Sequence, residues 1–394
     1  MFYRLRAAEQ EIFSANEGII MIPIAKPEIT KEDAKAVADV ISSGWILQGP
    51  KVEEFEKLLA RYIGAPYTVA TSSCTTAMHL GLLACGIGSG DEVIVPSFSF
   101  IASANAVVHA GAIPVFADID IKTYTIDPID VERKITNKTR AILAVHQIGL
   151  AADMEKLCAV ARKHKLLIFE DAACGLGSKV NGIHVGNWGI WSAFSFHPRK
   201  AITTAEGGLL ATASRDIAHK VRMLRAHGAD ISVSHRHEST KVLFEKYPLI
   251  GYNFRMSDMH AALGISQFSR VNAMLEKRRI LAERYNQTFK NNTNIIIPFV
   301  PKGYTHTYQS YMIRIVNGAK TRRSIMQKLL DRGIATRPGV MATHLATPYR
   351  RMCPKLSLPV TEKVAVDSLI IPLYPQMTTH DQDFVIQTII ELVK

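Results

Sequence analysis

From residue 66 to residue 212, short apolar runs alternate with stretches of helical spacing. The runs are "YTVAT", "EVIVP", "IPVFAD", "AILAVH", "LLIFED", "WSAFSF" and "GGLLAT". Several show little polar alternation, as strands covered on both faces do. Between them the pattern predicts helices over 75–85 and 151–164. Upstream, Ala34, Val37, Ala38 and Ile41 fall at i, i+3, i+4 and i+7. With Thr30 as N-cap and Gly44 as stop, a helix is expected over 30–43. Strand–helix alternation of this kind makes an α/β fold with a mostly parallel central sheet and helices on both faces.

The pattern changes after about residue 265. A long charged helical stretch (271–290) leads to "SYMIRIV", a helix over 320–332 and a final helix from His380. This reads as a smaller C-terminal α+β domain. The expected division is an N-terminal extension (1–20), a large domain (21–265) and a small domain (266–394). Residues 1–20 mix charges with apolar positions and lack a continuous apolar core. They read as a loose extension or an upstream start rather than a secretory signal.

The 394-residue chain is long enough for two domains, and its 47% apolar and 21% charged residues are ordinary for a globular protein. No unbroken run approaches the ~18 apolar residues of a membrane helix, so no membrane partner is expected. Five cysteines (Cys74, Cys85, Cys158, Cys174, Cys353) show no metal-ligand spacing. They point to reduced thiols, a cytoplasmic protein and no metal. A net charge of +12 suits an anionic partner. The basic residues are scattered without interleaved aromatics, which argues against nucleic acid.

In open α/β sheets ligands bind beyond the carboxyl ends of the strands, so the residues that follow each run carry the candidate chemistry. "SSCTTAMHL" follows "YTVAT": hydroxyls lead into a helix, giving either an anion site or an ordinary N-cap. "LLIFED" ends on Asp171, a carboxylate that needs a cationic partner and could be a structural ion pair. "WSAFSF" leads to Lys200, in a polar turn bearing Glu-Gly-Gly. Phe98 and Phe100 follow "EVIVP" and read as core or as a cover for a flat ligand. An amine, a carboxylate, an anion cradle and a flat contact are together what pyridoxal 5'-phosphate (PLP) requires.

Seven ordered motifs carry a resemblance to a known family. They are "SGWILQGPKVEEFE", "SSCTTAMHL", "GDEVIVPSFSFIASANAV", "VHQIGLAADM", "FEDAACGLGS", "FSFHPRKAITTAEGG" and "GYNFRMSDMHAALG". From about Ile22 onward the chain resembles the DegT/DnrJ/EryC1/StrS sugar aminotransferases, PLP enzymes of fold type I. The resemblance implies that residues 21–265 bind PLP. It implies Lys200 as the lysine that forms a Schiff base with the cofactor, and Asp171 as the carboxylate facing its ring nitrogen. It further implies Thr75, Thr76 and Ser195 at the phosphate and Phe100 stacked on the ring. Asn253 would reach the phosphate of a neighbouring subunit, which makes the expected assembly a homodimer with shared sites. Two positions depart from the family. Cys174 stands where Gln or His is frequent, near the cofactor's phenolic oxygen, and Cys74 replaces a frequent glycine. Family members that dehydrate at C3 carry His in place of Lys200, so the retained lysine points to amination.

The reaction so implied moves an amino group from L-glutamate to a nucleotide-linked keto-sugar, at C4 of a 4-keto-6-deoxyhexose. Lys200 acts as base and acid, and Asp171 keeps the ring nitrogen protonated. Arg337 and His344, in "ATRPGVMATH", are candidates for substrate contacts or for a structural turn. Amination of a keto-inositol, amination at C3, and a non-catalytic regulatory protein on the same fold are the alternatives.

Overall fold

The computed structural model describes residues 21–231 and 242–393; the extension expected at 1–20 lies outside them. Helix α1 (Lys31–Ser43) opens on a capping box between Thr30 and Asp33 and stops at Gly44, which takes the left-handed φ of 75°. Helix α2 (Pro50–Ile63) follows, with strand β1 (Tyr67–Thr71) and helix α3 (Cys74–Ala84) after it. Strand β2 (Glu92–Pro96), helix α4 (Ala102–His109), strand β3 (Ile113–Ala117), strand β4 (Thr139–Val145), helix α5 (Met154–His164) and strand β5 (Leu167–Asp171) continue the alternation. A short hairpin, β6 (Lys179–Val180) and β7 (Ile183–His184), precedes β8 (Trp191–Ser195) and β9 (Gly208–Thr212).

Seven of these strands form one sheet in the order β1-β9-β8-β5-β4-β2-β3. Strands β2, β3, β4, β5 and β8 pair in parallel, and β9 alone runs against its neighbours β1 and β8. The reversal follows from connection length. The chain between β8 and β9 holds no helix, and a short link returns a strand antiparallel. Both faces are covered. Met78, Leu80 and Leu82 of α3 pack with Val93, Leu143 and Trp191 on one side, and Val52, Phe55, Leu59 and Ile63 of α2 pack with Phe194 and Leu209 on the other.

Helix α6 (Arg215–Leu224) and helix α7 (Asp258–Phe268) lead to α8 (Val271–Phe289), a helix of 19 residues and ~28 Å. Its first half (Val271, Met274, Leu275) packs in the first lobe, and its second half (Ala282, Tyr285, Phe289) packs in a separate core. That core belongs to a four-stranded antiparallel sheet, β10 (Ile295–Ile296), β12 (Tyr311–Ile315), β14 (Ser368–Ile371) and β13 (Arg337–Pro338), with β11 (Tyr304–Thr305) pairing instead onto β6. Helices α9 (Gly318–Asp331) and α10 (Thr379–Leu392) cover it. Ile22 was expected with the large domain. Its side chain packs in this second core, and its amide donates to the Gly333 carbonyl at 2.7 Å.

Candidate active site

Sheet register brings the candidate residues to one edge. Thr71, the last residue of β1, lies opposite Gly208, and Gly208 lies opposite Ser195, the last residue of β8. Two residues upstream on β8, Ala193 lies opposite Asp171, the last residue of β5. Ser195 and Asp171 therefore share a face at the carboxyl end of the sheet.

The strand itself ends on Ser195, and Lys200 comes five residues later inside a closed turn. The Lys200 amide donates to the His197 carbonyl at 2.8 Å, the Thr204 amide to the Phe196 carbonyl at 3.0 Å, and the Phe196 amide to the Gly207 carbonyl at 3.0 Å. The glycines have a steric reason. A Cβ on Gly208 would stand 2.2 Å from the Ser73 carbonyl carbon, and one on Gly207 would stand 2.2 Å from the Thr204 hydroxyl. Strand β9 thus starts in direct backbone contact with the end of α3, which no side chain permits.

The Lys200 amine donates to the Cys174 sulfur at 3.1 Å. Burial disfavours its charge, but Cys174, Cys74 and Asp171 outweigh that penalty and hold its pKa above the ordinary lysine value. The Cys74 thiol is pushed well up, first by burial and then by Asp171, with Lys200 acting in the opposite direction. Asp171, Cys174, Lys200 and the first residue of α3 are therefore within electrostatic reach of one another.

Helix α3 begins with a capping box. Ser73 Oγ accepts from the Thr76 amide at 3.2 Å, and Thr76 Oγ1 accepts from the Ser73 amide at 3.1 Å. The Thr76 hydroxyl is thus engaged within the cap. The half-buried Thr75 and the first-turn amides stand at the positive end of the helix.

Asp171 is 4% exposed; its Oδ1 accepts from the Ala173 amide at 3.1 Å and its Oδ2 from the Ser103 hydroxyl at 2.7 Å. Its neighbour Glu170 faces away. It accepts from His146 Nε2 at 2.9 Å and from the amides of Gly186, Trp188 and Gly189. Burial opposes its charge, but these donors win and lower its pKa. Of the acidic pair, Glu170 is the structural member. Phe98 is fully buried, whereas Phe100 is 68% exposed at the turn into α4.

Three predicted residues stand on other segments of the chain. Asn253 is exposed, bridged to Ala226 and flanked by the stacked rings of Tyr252 and Phe254, 4.9 Å apart. Arg337 is exposed on β13. His344 is 1% exposed, with Nδ1 2.6 Å from Ser97 Oγ and Nε2 3.2 Å from Glu362. Both its ring nitrogens are engaged within the chain. Sequence reading overlooked Ser103 and the His146–Glu170 pair. Ser103 lies within "FIASANAV", where a small polar residue between two alanines in the first turn of a helix was the available signal.

A primary amine, a buried carboxylate and a helix N-terminus on one sheet edge form a donor set that fits PLP. The amine suits its aldehyde, the carboxylate its ring nitrogen and the helix end its phosphate.

Comparison with known proteins agrees with this fit. The chain is 37% identical over 368 residues to GDP-perosamine synthase from Caulobacter vibrioides, covering 93% of this chain and 96% of that one. The structure of DesV from S. venezuelae in complex with a ketimine intermediate matches with a TM-score of 0.86 at 32% identity, over 95% of this chain and 99% of that one. NtdA from Bacillus subtilis with bound cofactor PMP matches with a TM-score of 0.82 at 32% identity, over 93% of this chain and 83% of that one. A family model matches residues 27–390. The chain belongs to the DegT/DnrJ/EryC1/StrS aminotransferase family and is a PLP-dependent enzyme of fold type I.

Proposed function

We propose that this aminotransferase converts a nucleotide-linked keto-sugar, at C4 of a 4-keto-6-deoxyhexose, to the amino sugar with L-glutamate as donor. The observation that carries this reading is the Lys200 amine beside Cys174, within electrostatic reach of Asp171 and the start of α3. Likeness to a protein named as a GDP-perosamine synthase supports a nucleotide-linked substrate, and the net charge of +12 suits a diphosphate.

PLP, when bound, supplies an aldehyde that amines bond and a ring that accepts the electron pair released at the donor's Cα. The rest falls to the chain. Lys200 Nζ takes the proton that leaves the donor's Cα and returns a proton in the second half of the cycle. Asp171, held by Ser103 and the Ala173 amide, faces the ring nitrogen and keeps its proton in place. The first-turn amides of α3, Thr75 and Ser195 bind the phosphate, while Thr76 shapes the turn through the cap. Phe100, exposed at the turn into α4, would cover one face of the ring. Cys174, hydrogen-bonded to the Lys200 amine, would stand near the cofactor's phenolic oxygen. Arg337 is free to meet the substrate. His344, with both nitrogens engaged, anchors the Ser97–Phe100 loop rather than touching substrate.

The same proposal makes the enzyme a homodimer in which Asn253 of one subunit serves the other's phosphate. The exposure of Asn253 supports this, as does the run of exposed apolar side chains ahead of it, Val242, Phe244 and Ile250. Five free cysteines suit a cytoplasmic location. No helix among the described residues is long and apolar enough to cross a membrane.

The test is a two-stage reaction. Holoenzyme is converted to its amino form with glutamate, then offered a panel of nucleotide-linked 4-keto-6-deoxyhexoses, 3-keto-sugars and a keto-inositol. Rapid recovery of the PLP absorbance with a 4-keto-sugar, and an amino group at C4 by NMR, is the expected result. Turnover confined to the keto-inositol or to 3-keto-sugars would overturn the substrate assignment.

A further inference from the structure

The Asp171 carboxylate is the end of a buried hydroxyl chain. Ser103 Oγ donates to Asp171 Oδ2 at 2.7 Å, and Ser99 Oγ lies 2.7 Å from Ser103 Oγ. Both serines are 2% exposed. An ionised carboxylate only accepts, so the Ser103 hydrogen goes to Asp171. The Ser103 oxygen is then left to accept, and the Ser99 hydroxyl is the donor between the two serines. Both hydrogens point towards the carboxylate, an order in which each hydrogen bond polarises the next.

The far end of the chain is tied to the turn at Thr343. The Thr343 hydroxyl donates to the Ser99 carbonyl at 2.8 Å, and the Thr343 amide donates to the Ser97 carbonyl at 2.8 Å. Ser103 sits in the first turn of α4, where a serine ordinarily bonds its own backbone. Here it reaches a carboxylate 68 residues away in sequence. Together with the Ala173 amide it gives each carboxylate oxygen one protein donor, which fixes the plane of the group.

We propose that Ser103, supported by Ser99, is a positioning residue for the transamination. It fixes Asp171 in the one orientation that aims the carboxylate at the cofactor's ring nitrogen. The proposal rests on the reading of Asp171 as the partner of that nitrogen.

The test is a double-mutant cycle on holoenzyme, with kcat, KM and the rate of PLP release as readouts. Ser103→Ala should lower kcat roughly 10- to 100-fold, as loss of one hydrogen bond to a charged group does, with KM little changed and PLP release faster. Ser103→Thr, which keeps the hydroxyl, should restore both. In an Asp171→Asn background, Ser103→Ala should change kcat and PLP release by less than about twofold, because its effect passes through the carboxylate. Wild-type kcat in Ser103→Ala, or an equal loss in both backgrounds, would overturn the proposal while leaving the role of Asp171 intact. Near-normal turnover in Asp171→Asn alone would instead overturn the reading on which it rests.

Discussion

The Lys200 amine lies 3.1 Å from the Cys174 sulfur, joining the β8–β9 turn to the turn that follows β5. The contact matters because Cys174 is the foremost of the groups that raise the Lys200 pKa against the opposing effect of burial. Cys174→Ala should remove that contribution and leave the desolvation, so the amine should lose its proton at lower pH than in the wild type. The pH dependence of Lys200 acetylation in cofactor-free enzyme, followed by mass spectrometry, checks this. An unchanged profile would mean that the sulfur does not influence the amine.

The backbone contact between β9 and α3 makes a second prediction. A Cβ at position 208 would lie 2.4 Å from the Cys74 amide nitrogen, so Gly208→Ala must displace the helix end. The cost should be about 1–3 kcal/mol of stability, as for other forced overpacking, together with weaker PLP binding. Thermal melting and a PLP titration measure the two effects. Lowered stability with unaltered PLP affinity would show that the end of α3 does not hold the phosphate.

The contrast between local and distant features explains what the sequence revealed. Thr30 and Gly44 bound α1 because caps are local, and the apolar runs marked the strands because burial on both faces leaves no polar alternation. The reversed course of β9 follows from the length of its connection, which no periodicity records. The site residues were readable where they sit at strand ends, as Asp171 does. Lys200 stands in the polar turn beyond β8, held by backbone bonds that its own sequence does not advertise. Partners far apart in sequence were hidden. Asp258 accepts from the amides of Gly49 and Val52 at the start of α2, at 2.8 and 3.0 Å, and His344 pairs with Ser97 across 247 residues.

Two buried histidines set an acid limit. His184 accepts from the Gly177 amide at 2.9 Å and donates to the Val185 carbonyl, and burial lowers its pKa from 6.5 to about 4. Burial lowers His306 to about 3, and its Nδ1 accepts from the Tyr308 amide at 2.9 Å. Both folded values lie below the unfolded one, so the unfolded chain binds more protons at acid pH. Stability present above pH 6.5 should fall as the pH drops towards 4. The His184 share is about 3 kcal/mol. His184→Gln should flatten that part of the pH dependence of the urea midpoint, whereas an unchanged slope would assign the acid sensitivity elsewhere.

Asn253 tests the shared site. In a heterodimer of a Lys200→Ala subunit with an Asn253→Ala subunit, crossed sites put both lesions in one active site and leave the other intact. Half of the wild-type activity should then survive at limiting PLP. If Asn253 serves its own subunit, each site carries one lesion and no tight, active site remains.

The central claim is that Lys200 is the amine to which the cofactor bonds. Reduction of PLP-loaded enzyme with sodium borohydride fixes the cofactor on that amine, and peptide mapping by mass spectrometry locates it. The account predicts the pyridoxyl mass on Lys200, and its absence from Lys200→Ala protein treated in the same way. The same mass on another lysine, or on none, would contradict it.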